Sequence, residues 1–110
     1  MSWGERPVLV MRASPLPEHL EAFLRWAREV HARDTRAVPG VVAVTVARAP
    51  KGEVLVGYVF ADAEAVPGAL QSAEAAYARG TLEQWAGRVT EIRFEMWAPL
   101  APLPVFAWIN

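Results

Sequence analysis

Cysteine is absent from this 110-residue sequence. That excludes disulfides, thiolate zinc sites, iron–sulfur clusters and a cysteine nucleophile together. Histidine occurs only at positions 19 and 31, too few for a metal triad unless carboxylates converge from elsewhere, so no metal is expected. Lysine is nearly missing too: Lys51 stands alone against ten arginines, a usage associated with GC-rich bacterial genomes. The 11 basic and 12 acidic residues are dispersed and leave a net charge of -1, so there is no electrostatic footprint for nucleic acid or an anionic membrane surface. No stretch approaches the ~20 apolar residues of a membrane-spanning helix. The opening MSWGERPVLVM lacks the basic region and long apolar run of a secretory signal. The expectation is a cytoplasmic protein. The seven glycines are scattered, which leaves no phosphate-cradling loop or dinucleotide fingerprint, and the aromatic motifs of RNA-recognition modules are missing.

Apolar residues, by contrast, are plentiful. They make up 54% of the chain, with five tryptophans, against 21% charged residues. A domain of this length buries roughly two-thirds of the surface its unfolded chain exposes, so some of this apolar surface is expected to find cover by self-association.

Taken in order, Pro7 to Arg12 reads as a first strand, ended by Ser14-Pro15-Leu16-Pro17. Leu20, Phe23, Leu24, Ala27, Val30 and His31 then recur at the spacing of one helix face, while Trp26 falls off this stripe with Ala22. Pro39-Gly40 reverses the chain into Val41 to Arg48, with Val42, Val44 and Val46 on one face and Ala43, Thr45 and Ala47 on the other. The turn Ala49-Pro50-Lys51-Gly52 joins it to Glu53–Phe60, in which Val54, Val56, Tyr58 and Phe60 share a face. Asp62 is read as the N-cap of a short helix reaching Gln71, and Ser72 as that of a helix over Ala73–Ala86, breakable at Gly80-Thr81. Ala76, Tyr77, Leu82, Trp85 and Ala86 are taken as the apolar side of the second. Thr90–Trp97 closes the domain with Ile92, Phe94 and Met96 alternating against Glu91, Arg93 and Glu95. The domain is drawn as residues 1–97. Residues 98–110, with prolines at 99, 102 and 104, are too proline-rich for a central strand and too apolar for water, so an extended C-terminal arm laid on a surface is predicted.

Strand, helix, strand, strand, helix, strand is the split βαβ order: an α+β, ferredoxin-like βαββαβ fold with a four-stranded antiparallel sheet and both helices on one face. The other face carries enough Val, Ala and Leu to want cover, and a two-fold copy applying the same face supplies it.

The run from Phe23 through Trp97, with a helix ending HARDTRAVPGVVAVTV, a hairpin ending GYVFAD and a closing strand EIRFEMW, resembles the dimeric α+β barrel superfamily. That group includes antibiotic biosynthesis monooxygenase-like proteins, small stress-responsive barrel proteins and muconolactone isomerase-like enzymes. The resemblance implies a homodimer whose two sheets form a barrel, with a ligand pocket between sheet and helices in each subunit. Haem-handling members use a histidine on the later helix; none follows His31 here, and no tightly held cofactor is expected.

His31, on the apolar helix face and near a helix C-terminus that favours its imidazolium form, is the first candidate acid or base. Tyr58 shares a strand face with valines, so its ring is expected to be buried and its hydroxyl to need a partner. Phe23, Trp26, Phe60 and Trp85 are assigned to a pocket or an interface, as are Arg93 and Trp97. Asp34 follows His31 too closely to make a convincing dyad. Three readings stay open. One is a homodimer binding or transforming a small hydrophobic molecule by cofactor-independent oxygenation or isomerisation, with His31 as base and Tyr58 as orienting hydroxyl. Another is a non-catalytic ligand-sensing or assembly module. The last is a structural dimer whose pocket is filled by its own Phe23, Phe60, Tyr77 and tryptophans.

Overall fold

Branched apolar residues at every second position make the strands, and a 3.6-residue stripe makes the first helix. The structure, a computed structural model, describes residues 6–98; the arm expected over 98–110 lies outside them apart from Ala98. Strands β1 (Val8–Pro15), β2 (Val41–Arg48), β3 (Val54–Phe60) and β4 (Val89–Trp97) form one antiparallel sheet in the order β2-β3-β1-β4. Helices α1 (Leu20–Trp26) and α2 (Ala32–Arg36) are joined without interruption by a π-helical turn, Ala27–His31. Helices α3 (Ala65–Leu70) and α4 (Ala73–Leu82) follow β3. This is the ferredoxin-like βαββαβ architecture, with the helices packed on one face of the sheet.

Register divides the strand residues cleanly. Met11 pairs across to Val56 and to Phe94, and Leu9 to Tyr58 and to Met96, so these face the helices. Val8, Val10 and Arg12 face the other way, opposite Trp97, Glu95 and Arg93 respectively. The core therefore lies between the sheet's Met11, Val54, Val56 and Tyr58 and the helices' Phe23, Trp26 and Ala27.

Three local departures from the sequence pattern matter. A register shift between Val41 and Ala43 leaves Val42 half exposed, so Val41, rather than Val42, packs inward with Val44 and Val46; a β-bulge re-aims the residues on either side of it. The π turn closes over five residues instead of four, and Trp26 and His31 are five apart. They therefore share a face, with ring centroids at 4.9 Å and planes at 29°. Trp26 thus belongs to the core even though it falls off the helical stripe. On α4 the inward residues are Ala75, Ala78 and Leu82, while Tyr77 is 64% exposed, which removes it from any role in filling the interior. The helix runs through Gly80 and tightens only at Glu83–Trp85. Its N-terminus is capped as expected, Ser72 Oγ accepting from Ala75 N–H at 3.1 Å. Asp62 likewise accepts from Ala65 N–H at 2.9 Å ahead of α3.

The open face of the sheet mixes apolar and charged groups. Arg12 pairs with Glu95, and Arg93 with Glu91 at 2.8 Å and Glu53 at 3.9 Å, beside Val8, Val10 and Leu55. Arg48 instead points to the helix side and meets Glu21 at 3.5 Å. Exposed pairs of this kind add little to stability.

Three turns among the described residues need a left-handed backbone, at Gly40, Gly52 and Gly87. Gly40 has φ +92° and Gly52 φ +94°, but a Cβ on Gly40 lies 3.1 Å from the Ala65 Cβ whereas one on Gly52 meets nothing within 4 Å. Gly52→Ala is expected to cost about 1–2 kcal/mol from the dihedral alone, and Gly40→Ala more because α3 must also shift. Urea denaturation of the two variants, read side by side, measures the difference.

Candidate functional site

His31 ends the π turn, and the Thr35 hydroxyl one helical turn later donates to its carbonyl at 2.7 Å. Its imidazole is 2% exposed, and Nε2 lies 2.5 Å from Tyr58 Oη. Tyr58 reaches this point because even-numbered β3 residues all face the helices. The Trp26 ring covers His31, and Met11 Sδ lies 3.8 Å from Tyr58 Oη.

Burial sets the charge state of both partners. It lowers the His31 pKa to about 4, with the charge of Asp34 opposing, and it raises that of Tyr58 well above the usual phenol range. Desolvation disfavours whichever form is charged, so both groups are neutral near pH 7. The imidazolium expected from a helix C-terminus is not favoured near pH 7: the helix continues to Arg36, and loss of water outweighs the charge of Asp34.

Two tautomers satisfy the contact. When Tyr58 donates to Nε2, the imidazole proton sits on Nδ1. When Nε2–H donates to Tyr58, the phenol proton turns toward Met11 Sδ and Nδ1 carries a bare lone pair. Nδ1 is buried without a partner in both cases. In the second tautomer it is a base with nothing bound to it.

A cavity of about 280 Å³ adjoins this pair, close to the lower end of the roughly 300–1,000 Å³ typical of small-molecule sites. The sheet contributes Leu9, Tyr58, Phe60 and Phe94 to its wall. The helices contribute His31 and Thr35, and then Ala69, Ala75, Ala78 and Leu82. Alanines on α3 and α4 leave the volume that larger side chains would fill. Arg79, exposed on α4, also borders it, with Nη1 donating to the Leu70 carbonyl at 3.0 Å.

Of the residues singled out from sequence, His31, Tyr58 and Phe60 come together in the wall. Phe23, Trp26 and Trp85 form an aromatic cluster beside it, with centroids 5.1–5.6 Å apart. Arg93 and Trp97 stand on the opposite face of the sheet. Thr35, Arg79 and the three alanines were not anticipated. The spacing of Ala75, Ala78, Arg79 and Leu82 at i, i+3, i+4 and i+7 carried that signal, masked by the aromatic weight of Tyr77.

No protein-family model matches the chain, and no curated protein matches it significantly. Solved structures do. Rv0793 from Mycobacterium tuberculosis superposes with a TM-score of 0.65 at 19% identity, over 90% of this chain and 99% of that one. A provisionally assigned antibiotic biosynthesis monooxygenase from Deinococcus radiodurans gives 0.66 at 16%, over 90% and 97%. An ethyl tert-butyl ether d (ethd) family protein from Bacillus halodurans gives 0.66 at 21%, over 86% and 99%. At these identities the likeness is one of fold: the chain is an α+β protein with the ferredoxin-like architecture of antibiotic biosynthesis monooxygenase-like proteins.

The His31 shift has a thermodynamic consequence. Its folded pKa of about 4 lies below the unfolded value of 6.5, so between them the unfolded chain binds more protons. The stability conferred by the neutral imidazole is complete above pH 6.5 and falls as the pH drops toward 4. Between about pH 7.5 and about pH 5 the loss is about 2 kcal/mol. Denaturant titrations at both pH values are expected to show it in the native protein and to show it abolished in His31→Leu.

Proposed function

We propose that this protein binds a small hydrophobic molecule in the cavity between sheet and helices, and that His31 and Tyr58 act on it as base and orienting hydroxyl. The observation carrying this reading is the placement of a buried, neutral imidazole–phenol pair in the wall of a largely apolar cavity. Such a site suits a substrate whose C–H or O–H is acidified by an adjacent carbonyl or aromatic ring. His31 takes that proton, and Tyr58 donates to the oxygen on which charge develops. Returning the proton to another carbon completes an isomerisation. Attack of the resulting carbanion on dioxygen, the oxidant, begins an oxygenation; neither route calls for a tightly held cofactor. The fold shared with the monooxygenase-named neighbours supports this choice of chemistry.

A second reading is favoured by the low His31 pKa, since an imidazole so hard to protonate is a weak base. It is a binding module in which the pair only orients the ligand. A two-fold copy of the chain is proposed as partner in either case, its sheet laid against Val8, Val10 and Leu55.

Native mass spectrometry of protein purified from its own host tests the reading. A dimer carrying a defined small-molecule adduct is expected, and Ala78→Phe, which fills the cavity, is expected to lose the adduct while keeping the dimer. An empty native protein, or an adduct retained by Ala78→Phe, would falsify the pocket reading. With the ligand identified, His31→Ala is expected to lower turnover by about 100-fold or more, and Tyr58→Phe by about 10-fold. Binding intact in both variants with no turnover in the native protein selects the binding module.

A further inference from the structure

The cavity is not uniformly apolar. Among the described residues that border it, Arg79 is the one that carries a full charge at neutral pH, since His31 is held neutral. It lies on the inward stripe of α4 directly after Ala78 and one turn before Leu82, yet it is itself exposed. It therefore marks the mouth. Its guanidinium is not a loose surface charge: Nη1 is fixed by the Leu70 carbonyl at the C-terminal end of α3. No carboxylate of the described residues forms an ion pair with it, as with Arg25, Arg28, Arg36 and Arg88, but Arg79 alone among these borders the cavity. Guanidinium presents five donors in a planar fork that matches a carboxylate or another flat oxyanion. With Nη1 fixed, the rest of the fork is available to a ligand already seated among the alanines.

Resting on the pocket reading, we propose that the ligand is an amphipathic organic anion: a hydrophobic body in the cavity against His31 and Tyr58, and a carboxylate or comparable oxyanion at the mouth on Arg79. The two ends of the site then do different work. The buried end is made of neutral groups and cannot accept a charged head without its water, whereas the mouth keeps a charged head hydrated on one side and paired on the other. Such a ligand is held in one orientation, with its apolar end toward the imidazole.

The test is a matched pair of probes, 2-naphthoate and 2-naphthamide, titrated against the full-length protein by quenching of tryptophan fluorescence, Trp26 and Trp85 being next to the site. The native protein is expected to bind the carboxylate more tightly than the amide by about five-fold or more, and added sodium chloride is expected to shrink the ratio. Arg79→Gln is expected to bring the ratio near one by weakening the carboxylate alone, and Arg79→Lys to restore part of it. A ratio unchanged in Arg79→Gln, or equal affinities in the native protein, overturns the proposal. If Ala78→Phe still blocks both probes in that event, the pocket reading survives. Binding of neither probe, or binding that Ala78→Phe does not touch, overturns both.

Discussion

One hydrogen bond, between His31 Nε2 and Tyr58 Oη, joins the helix layer to the sheet between two buried side chains. Each partner is a polar group that burial would leave costly on its own, by about 1–3 kcal/mol when unsatisfied. The contact can form only if a particular helix residue and a particular strand residue meet. It is therefore more directional than the apolar contacts around it, which tolerate sliding and rotation. The pair ties the π turn to β3, and the cavity lies beside it.

The π turn is the local cost of that arrangement. A regular α-helix places residues five apart on different faces, and Trp26 with His31 would then point away from each other. Widening one turn aligns them, so that the indole can cover the imidazole while Phe23 and Trp85 close around the indole. The bulk of these rings sets the spacing between helices and sheet on their side of the core. On the other side the facing residues are Ala69, Ala75 and Ala78. Layers held apart by large side chains at one end and lined by methyl groups at the other cannot pack to uniform density, and the cavity is the difference.

The extent to which this was legible in the sequence follows from what each signal measures. Strand parity placed Tyr58 and Phe60 correctly because period 2 leaves no choice of face once one residue is buried. The helical stripe placed His31 for the same reason. What the stripe could not show was the π turn, which depends on side-chain packing five residues apart and leaves no mark in residue type, so Trp26 fell off the stripe that placed His31. The bulge at Val42 was hidden in a run of alternating valine, alanine and threonine in which either phase looks acceptable. The cavity was implied only by the resemblance and not by the residues themselves, because its makers are alanines, residues equally at home in a filled core. Arg79 was passed over because an arginine on a helix is ordinarily solvated, and only the third dimension sets it beside an apolar hollow.

The sheet separates two kinds of electrostatics that would otherwise conflict. Tyr58, facing the helices, must stay neutral and dry, while its neighbours on β3 and the strands beside it turn Leu55 and Gly57 outward to a face carrying the Arg12–Glu95 and Arg93–Glu91 pairs. Gly57 keeps that face closely packed, since a Cβ there would lie 3.0 Å from the Thr45 hydroxyl. Charges on the open face meet water on their own side of the sheet, so they neither need nor perturb the desolvated pair behind it. A single strand with period 2 thus supports a charged, hydrated surface on one side and a buried, neutral imidazole–phenol pair on the other.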